Sequence, residues 1–220
     1  DEPAAVVVSP DGATAYVSLA KEDAVVVVDI ATRSVTGRVA ANKNSTAMAL
    51  SADGATLYVA SYCSGVGDRQ QFPADDRNDK FDIAVIDTAT LKVTGYIGEV
   101  GSVLGGLLLA DDRLYVATTR VAVRELSNAE GMTAFRHSVA AYDVTSLKEV
   151  AAVDVGRQAS ATALAVRPFG MALAGGKLWV TFEGTDEVVG LDPKSLEERG
   201  RFAAEGRPRT ILASVRCVIS

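Results

Sequence analysis

One imidazole, two thiols and a run of alternating charges are the groups of this 220-residue sequence whose types could carry chemistry. His137 could act as a general base or an axial ligand. Ser138 or Ser160 with His137 and Asp143 would compose a hydrolytic triad on paper, but no nucleophile motif surrounds either serine. Spacing identifies no partner for His137, so the expected role is a hydrogen-bonded structural histidine, and no catalytic residue is assigned. A lone histidine excludes a multi-histidine metal site within this chain, and no Cys-x-x-Cys-His is present to attach a haem. Cys63 and Cys217 fall in well-separated parts of the sequence and are expected as separate thiols.

The stretch 61–80 carries Asp68, Asp75, Asp76, Asn78 and Asp79, oxygen donors of the kind that suit calcium. It lacks the ordered Asp-x-Asp-x-Asp-Gly spacing of a dedicated loop, and Arg69 and Arg77 sit among the acids. A solvated, salt-bridged loop is expected, with no metal. The stretch 119–137 contains Arg120, Arg124, Glu125, Met132, Phe135 and Arg136. Its Arg124–Gly131 segment has the makings of a short helix ending at glycine, and its arginines with Phe135 suit a protein or anionic contact. The candidate binding residues are therefore Asp75, Asp76, Arg77, Arg124, Phe135, Arg136 and His137.

These residues are positioned by repeats. Ala4–Ser18 holds an apolar run, Ser-Pro-Asp-Gly and Tyr16-Val17; Ala24–Gly37 holds a valine run ending in Asp29. The pattern returns around Tyr58 and Asp87, Tyr115 and Asp143, and Trp179 and Asp192. Each unit resolves into four short strands: a small-residue run, an aromatic strand, a β-branched strand ending in aspartate, and a more polar strand. Asp-Gly between the first two is a strong hairpin signal. Aspartates recurring once per unit before Thr or Ser are expected as turn formers rather than catalytic acids.

Four-stranded units at a period near 42 residues (Tyr16 to Tyr58) imply an all-β protein, a β-propeller of antiparallel blades. The expected blades span approximately 4–40, 47–97, 106–155 and 168–203 of a single region 1–220, with an incomplete fifth unit at 207–220. Four blades plus the first strand of a fifth read as a partial arc of a larger, seven-bladed ring. Composition agrees with a globular domain, at 48% hydrophobic and 23% charged. A net charge of −6 without a basic run makes nucleic acid an unexpected partner. No apolar stretch approaches the ~18 residues of a membrane span.

The pattern Ser-Pro-Asp-Gly-Ala-Thr-x-Tyr-Val, then Val-x-Val-x-Asp-x-x-Thr, resembles the YVTN family of β-propeller repeats. The segments that carry the likeness are Tyr16-Val17-Ser18-Leu19, Tyr58-Val59-Ala60-Ser61, Tyr115-Val116-Ala117-Thr118 and Trp179-Val180-Thr181-Phe182. The resemblance implies a bacterial or archaeal periplasmic, secreted or surface location and a binding or scaffold role. A start at Asp1 without methionine is what a processed or trimmed protein would show. Related propellers include lactonase-like hydrolases and haem- or quinone-linked redox proteins, the alternative reading. The shared motif is structural and transfers no catalytic residue.

The breaks in the period carry the functional expectation. From strand-two aromatic to strand-three aspartate the separation is 13 residues in units one and four, but 29 and 28 in units two and three. A further expansion falls near 156–167. In a propeller these connections leave from one face, so the sequence predicts a loop-rich face (61–80, 119–137, 156–167) presented to a protein or small-molecule ligand. Long loops on a rigid scaffold are common sites of binding. No cofactor is expected in this chain.

Overall fold

A computed structural model describes residues 2–41, 44–61, 82–101, 103–122, 134–155, 167–183, 185–204, 206, 208, 209 and 211. The first blade consists of β1 (Pro3–Val8), β2 (Thr14–Leu19), β3 (Ala24–Asp29) and β4 (Ser34–Ala40). The second holds β5 (Ser45–Leu50), β6 (Thr56–Ser61), β7 (Ile83–Asp87) and β8 (Lys92–Ile97). The third holds β9 (Val103–Ala110), β10 (Arg113–Ala122), β11 (Ala134–Asp143) and β12 (Glu149–Asp154). The fourth holds β13 (Arg167–Ala174), β14 (Lys177–Glu183), β15 (Glu187–Leu191) and β16 (Glu198–Ala203). Each blade is a separate antiparallel sheet whose strands pair in chain order.

Turn chemistry sets these meanders. In Ser9–Thr14 the Asp11 carboxylate accepts the Ser9 hydroxyl at 2.5 Å and the Ala13 N–H at 3.0 Å, and Gly12 takes a left-handed φ of 73°. Ser51, Asp53 and Gly54 repeat this arrangement in the second blade. The third and fourth blades use tight turns at Asp111-Asp112 and Gly175-Gly176 instead. The expected aspartate turns are all present: Asp29, Asp87, Asp143 and Asp192 accept N–H bonds from Thr32, Thr90, Ser146 and Ser195 at 2.6 to 2.9 Å.

Successive residues of a strand point to opposite faces, and the blades use both faces for packing. Leu57 and Val59 of β6 join Tyr16, Val25 and Val27 in a core between blades one and two. Tyr58 and Ala60 of the same strand turn the other way, to Leu104, Leu114 and Tyr142 between blades two and three. Tyr115, Ala117 and Val139 then meet Met171, Val180 and Phe182 between blades three and four. Burial raises the phenol pKa of Tyr58 and Tyr115, as befits core rings. Among the described residues no core joins blade one to blade four. The arrangement is an arc of stacked blades.

The innermost strands approach one another most closely. A Cβ added at Gly105 or Gly106 of β9 would collide with the backbone of Pro168 and Phe169 in β13. This is the physical reason for the small residues of the first strand in each unit.

Candidate functional site

Every two-to-three and four-to-one connection leaves from the same end of the blades, because each sheet is an antiparallel meander. At the opposite end the strands are joined by the short aspartate and glycine turns. The loop-bearing end is lined by buried polar side chains: Ser18, Ser45, Ser61, Asp82, Thr118, Thr119, His137, Ser138 and Thr181.

Much of this lining is structural. The inner strand of each blade has a register irregularity near this end, and strand-two hydroxyls satisfy the displaced backbone. Ser18 Oγ accepts the Ala5 N–H at 3.0 Å, and Thr181 Oγ1 accepts the Gly170 N–H at 2.9 Å. Carboxylates hold the links between blades: Asp23 accepts the Asn44 N–H at 2.9 Å, and Asp82 accepts the Val100 N–H at 2.7 Å.

The third blade departs from this scheme. Strands β10 and β11 are ten residues long and continue past the blade body, pairing Thr119 with His137, Arg120 with Arg136, Val121 with Phe135 and Ala122 with Ala134. The expectation of a loop across 119–137 is therefore corrected at both ends. Thr119 and His137 still belong to the blade body, beyond which Arg120–Ala122 and Ala134–Arg136 form a two-stranded arm, and only 123–133 separates the strands. The excess spacing counted from Tyr115 to Asp143 could not reveal that the added residues pair. The apposition of Thr-Arg-Val-Ala with Ala-Phe-Arg-His, rich in β-formers, was the available signal.

His137 is buried within β11 rather than placed at a strand's start. Its Nδ1 lies 2.9 Å from Thr119 Oγ1, the donor being set by the imidazole tautomer. Its carbonyl accepts the Val155 N–H at 2.9 Å. Ser138 Oγ donates to Asp154 rather than to the imidazole, at 3.1 Å. The triad drawn from Ser138, His137 and Asp143 is not assembled, because Asp143 closes a turn at the far end of β11. His137 has the hydrogen-bonded position expected of a structural histidine.

Phe135 and Arg136 hold adjacent positions of β11 on the arm, paired in register with Val121 and Arg120. Asp75, Asp76, Arg77 and Arg124 lie outside the described residues, as does the 124–131 helix expectation. Among the described residues, no three His, Cys, Asp or Glu side chains converge as a metal site. No helix among them is long and apolar enough to cross a membrane.

A second cluster at this end escaped sequence reasoning. Arg167, expected in a loop, is the first residue of β13 and pairs across the sheet with Glu183 of β14. Arg167 and Arg209 both approach the Glu183 carboxylate, at 3.7 and 3.5 Å. The Arg209 guanidinium also lies 4.7 Å from the centre of the Phe169 ring, a cation–π distance. Two guanidiniums thus share one carboxylate at the rim of the fourth blade. No repeat marks these residues, which is why spacing missed them.

No protein-family model matches the chain, and no curated protein matches it either. Among solved structures, the β-propeller domain of Cps50 (Swd1) from Myceliophteria thermophila superposes with a TM-score of 0.62 at 14% sequence identity. The match covers 94% of this chain and 56% of that one, so the chain spans little more than half of the neighbour's length. At this identity the likeness is one of fold: a partial β-propeller.

Proposed function

We propose that this chain is a propeller-type binding or scaffold module that presents its loop-bearing end to a protein or small-molecule ligand outside the cytoplasm. The observation that carries the proposal is the one-sidedness of the elaborations. The connection 62–82, the β10–β11 arm and the connection 155–166 all leave from one end, while turns at the other end are closed by aspartates and glycines. The arm places Phe135 and Arg136 at paired strand positions rather than in an unpaired loop. The YVTN-type repeat likeness supports the binding role and the extracytoplasmic location.

The test is a site-specific photo-crosslinker placed at position 135 or 136, and for comparison at Gly176 on the opposite end, in the native cellular setting. A discrete adduct from 135 or 136 and none from 176 is expected. Equal labelling from both ends, or no discrete adduct from the arm, would overturn the proposal.

A further inference from the structure

The loop-bearing end of the fourth blade holds a carboxylate that its neighbours approach without satisfying. Glu183 is the last residue of β14, and its side chain is only 16% exposed. Arg167 Nη2 lies 3.7 Å from Glu183 Oε2, and Arg209 Nε lies 3.5 Å from Oε1. Both separations exceed the ~2.7–2.9 Å of a charge-assisted N–H···O bond. Among the described residues no hydrogen bond reaches the buried Oε2. The same holds for Thr185 Oγ1, buried two positions farther on, in the turn to β15. A carboxylate oxygen buried without a donor is costly, and native structures hold few of them.

The groups around this oxygen are those that surround a bound cation. Phe169 turns a ring face to the Arg209 guanidinium, 4.7 Å from the ring centre, and Glu183 supplies the negative charge. An aromatic face beside a carboxylate suits a guanidinium, whose planar fork fits both, better than a compact ammonium. Arg209 fills the place incompletely. Its side chain is 57% exposed, and it meets the carboxylate through Nε rather than through the two-pronged edge. Its backbone is confined against β13, since a Cβ at Gly170 would fall 2.5 Å from the Arg209 carbonyl oxygen.

We propose that Glu183 and Phe169 form a binding site for a guanidinium group, and that Arg209 is its internal occupant, displaced by a ligand bearing the same group. A guanidinium free of the backbone tether can stack on Phe169 and turn its fork to donate to Oε2. The exchange leaves the charge of the cluster unchanged, because one guanidinium departs as another arrives. Arg209 is held by an exposed ion pair and one ring contact, both weak interactions, so little opposes its departure. An anionic ligand would instead have the Glu183 carboxylate as its neighbour. An arginine side chain of a protein and a free guanidino compound both carry the required chemistry.

The inference rests on the reading of this end as the ligand-facing one, but its readout is separate. Crosslinking from positions 135 and 136 reports on the third-blade arm, and the titrations below report on the fourth-blade rim alone.

The probes are agmatine, the peptide acetyl-Gly-Arg-Gly-amide and its neutral citrulline counterpart, each titrated calorimetrically into the 220-residue chain. Arg209→Ala removes the occupant and should bind agmatine or the arginine peptide several-fold more tightly than the parent does. Adding Glu183→Gln should weaken that binding about tenfold, through loss of the charge-assisted pair. If this double variant does not fold, Phe169→Leu with Arg209→Ala is read in the same way. Tighter binding of agmatine assigns the site to a free guanidino compound, and tighter binding of the peptide to a protein arginine; either supports the proposal. It is overturned if neither probe binds Arg209→Ala, or if that variant binds more weakly than the parent. Equal affinity with and without Glu183→Gln, or for the citrulline peptide, would overturn it as well. So would binding of glutarate in place of the guanidinium probes, which would assign the rim to an anion.

Discussion

A carboxylate repeated once per unit does its work through one oxygen. Oδ1 of Asp29, Asp87 and Asp143 accepts both the hydroxyl and the N–H of the residue three positions on, Thr32, Thr90 or Ser146. In Asp192 the N–H groups of Ser195 and Lys194 take that place. Bonds to the charged form hold these carboxyls below the usual aspartate range, the side-chain hydroxyl being the largest cause in the first three and the Ser195 N–H in the fourth. A depressed native pKa means that the unfolded chain binds more protons, so stability rises with pH through this window. The contribution is complete above the unfolded aspartate value of about 3.9 and is lost as pH falls through the lower native value. Asp87→Asn should therefore melt below the parent at pH 7, and the gap should close as pH is lowered beneath the native pKa. A gap of constant size across that range would refute this account. The carboxylate is half-buried at the strand's end and open to solvent screening, so the effect per turn is modest.

At the scale of elements, close approach of inner strands constrains sequence more tightly than strand propensity does. Glycine is unfavourable within strands, yet β9 contains two in succession because the backbone of β13 leaves no room for a side chain. Gly106→Ala would force β9 and β13 apart, and overpacking of this kind costs about 1–3 kcal/mol. Denaturant unfolding should show that loss with little change in circular dichroism; an unaltered midpoint would mean that the blades slide freely. In the β10–β11 arm the register is set by the two strands themselves, with Arg120 and Val121 paired to Arg136 and Phe135.

Across the whole molecule, three cores join four blades, each core confined to one adjacent pair. Stability in such a stack approximates a sum of blade terms and nearest-neighbour interface terms. Blades two and three have a partner on both faces within the described arc, whereas blades one and four have one each. Hydrogen exchange of the 220-residue chain should consequently be slowest in β7, β10 and β11 and fastest in β1 and β16. Equal protection of β1 and β7 would show that the first blade is covered on its other face. Val6 and Val8, 62 and 50% exposed in β1, mark that uncovered surface.

What the sequence determined by itself was local: strand positions, the aspartate turns, pairing in chain order and the all-β propeller class. Period-two alternation and turn residues act within a few positions of the chain, so they are legible without a partner. The aromatic strand Thr56–Ser61 and the more polar strand Lys92–Ile97 of the second unit are both present in that order. The one-sided location of the long connections also followed from strand count alone. The tertiary structure decided what depends on approach between distant segments. It showed that Ala134–His137 pairs with Thr119–Ala122, that Glu183 gathers Arg167 and Arg209, and that His137 is buried against Thr119. It also showed that Leu91, Leu147 and Leu196 belong to interfaces with the blade before them. Spacing measures how many residues lie between two points of the chain; only packing fixes which of them meet.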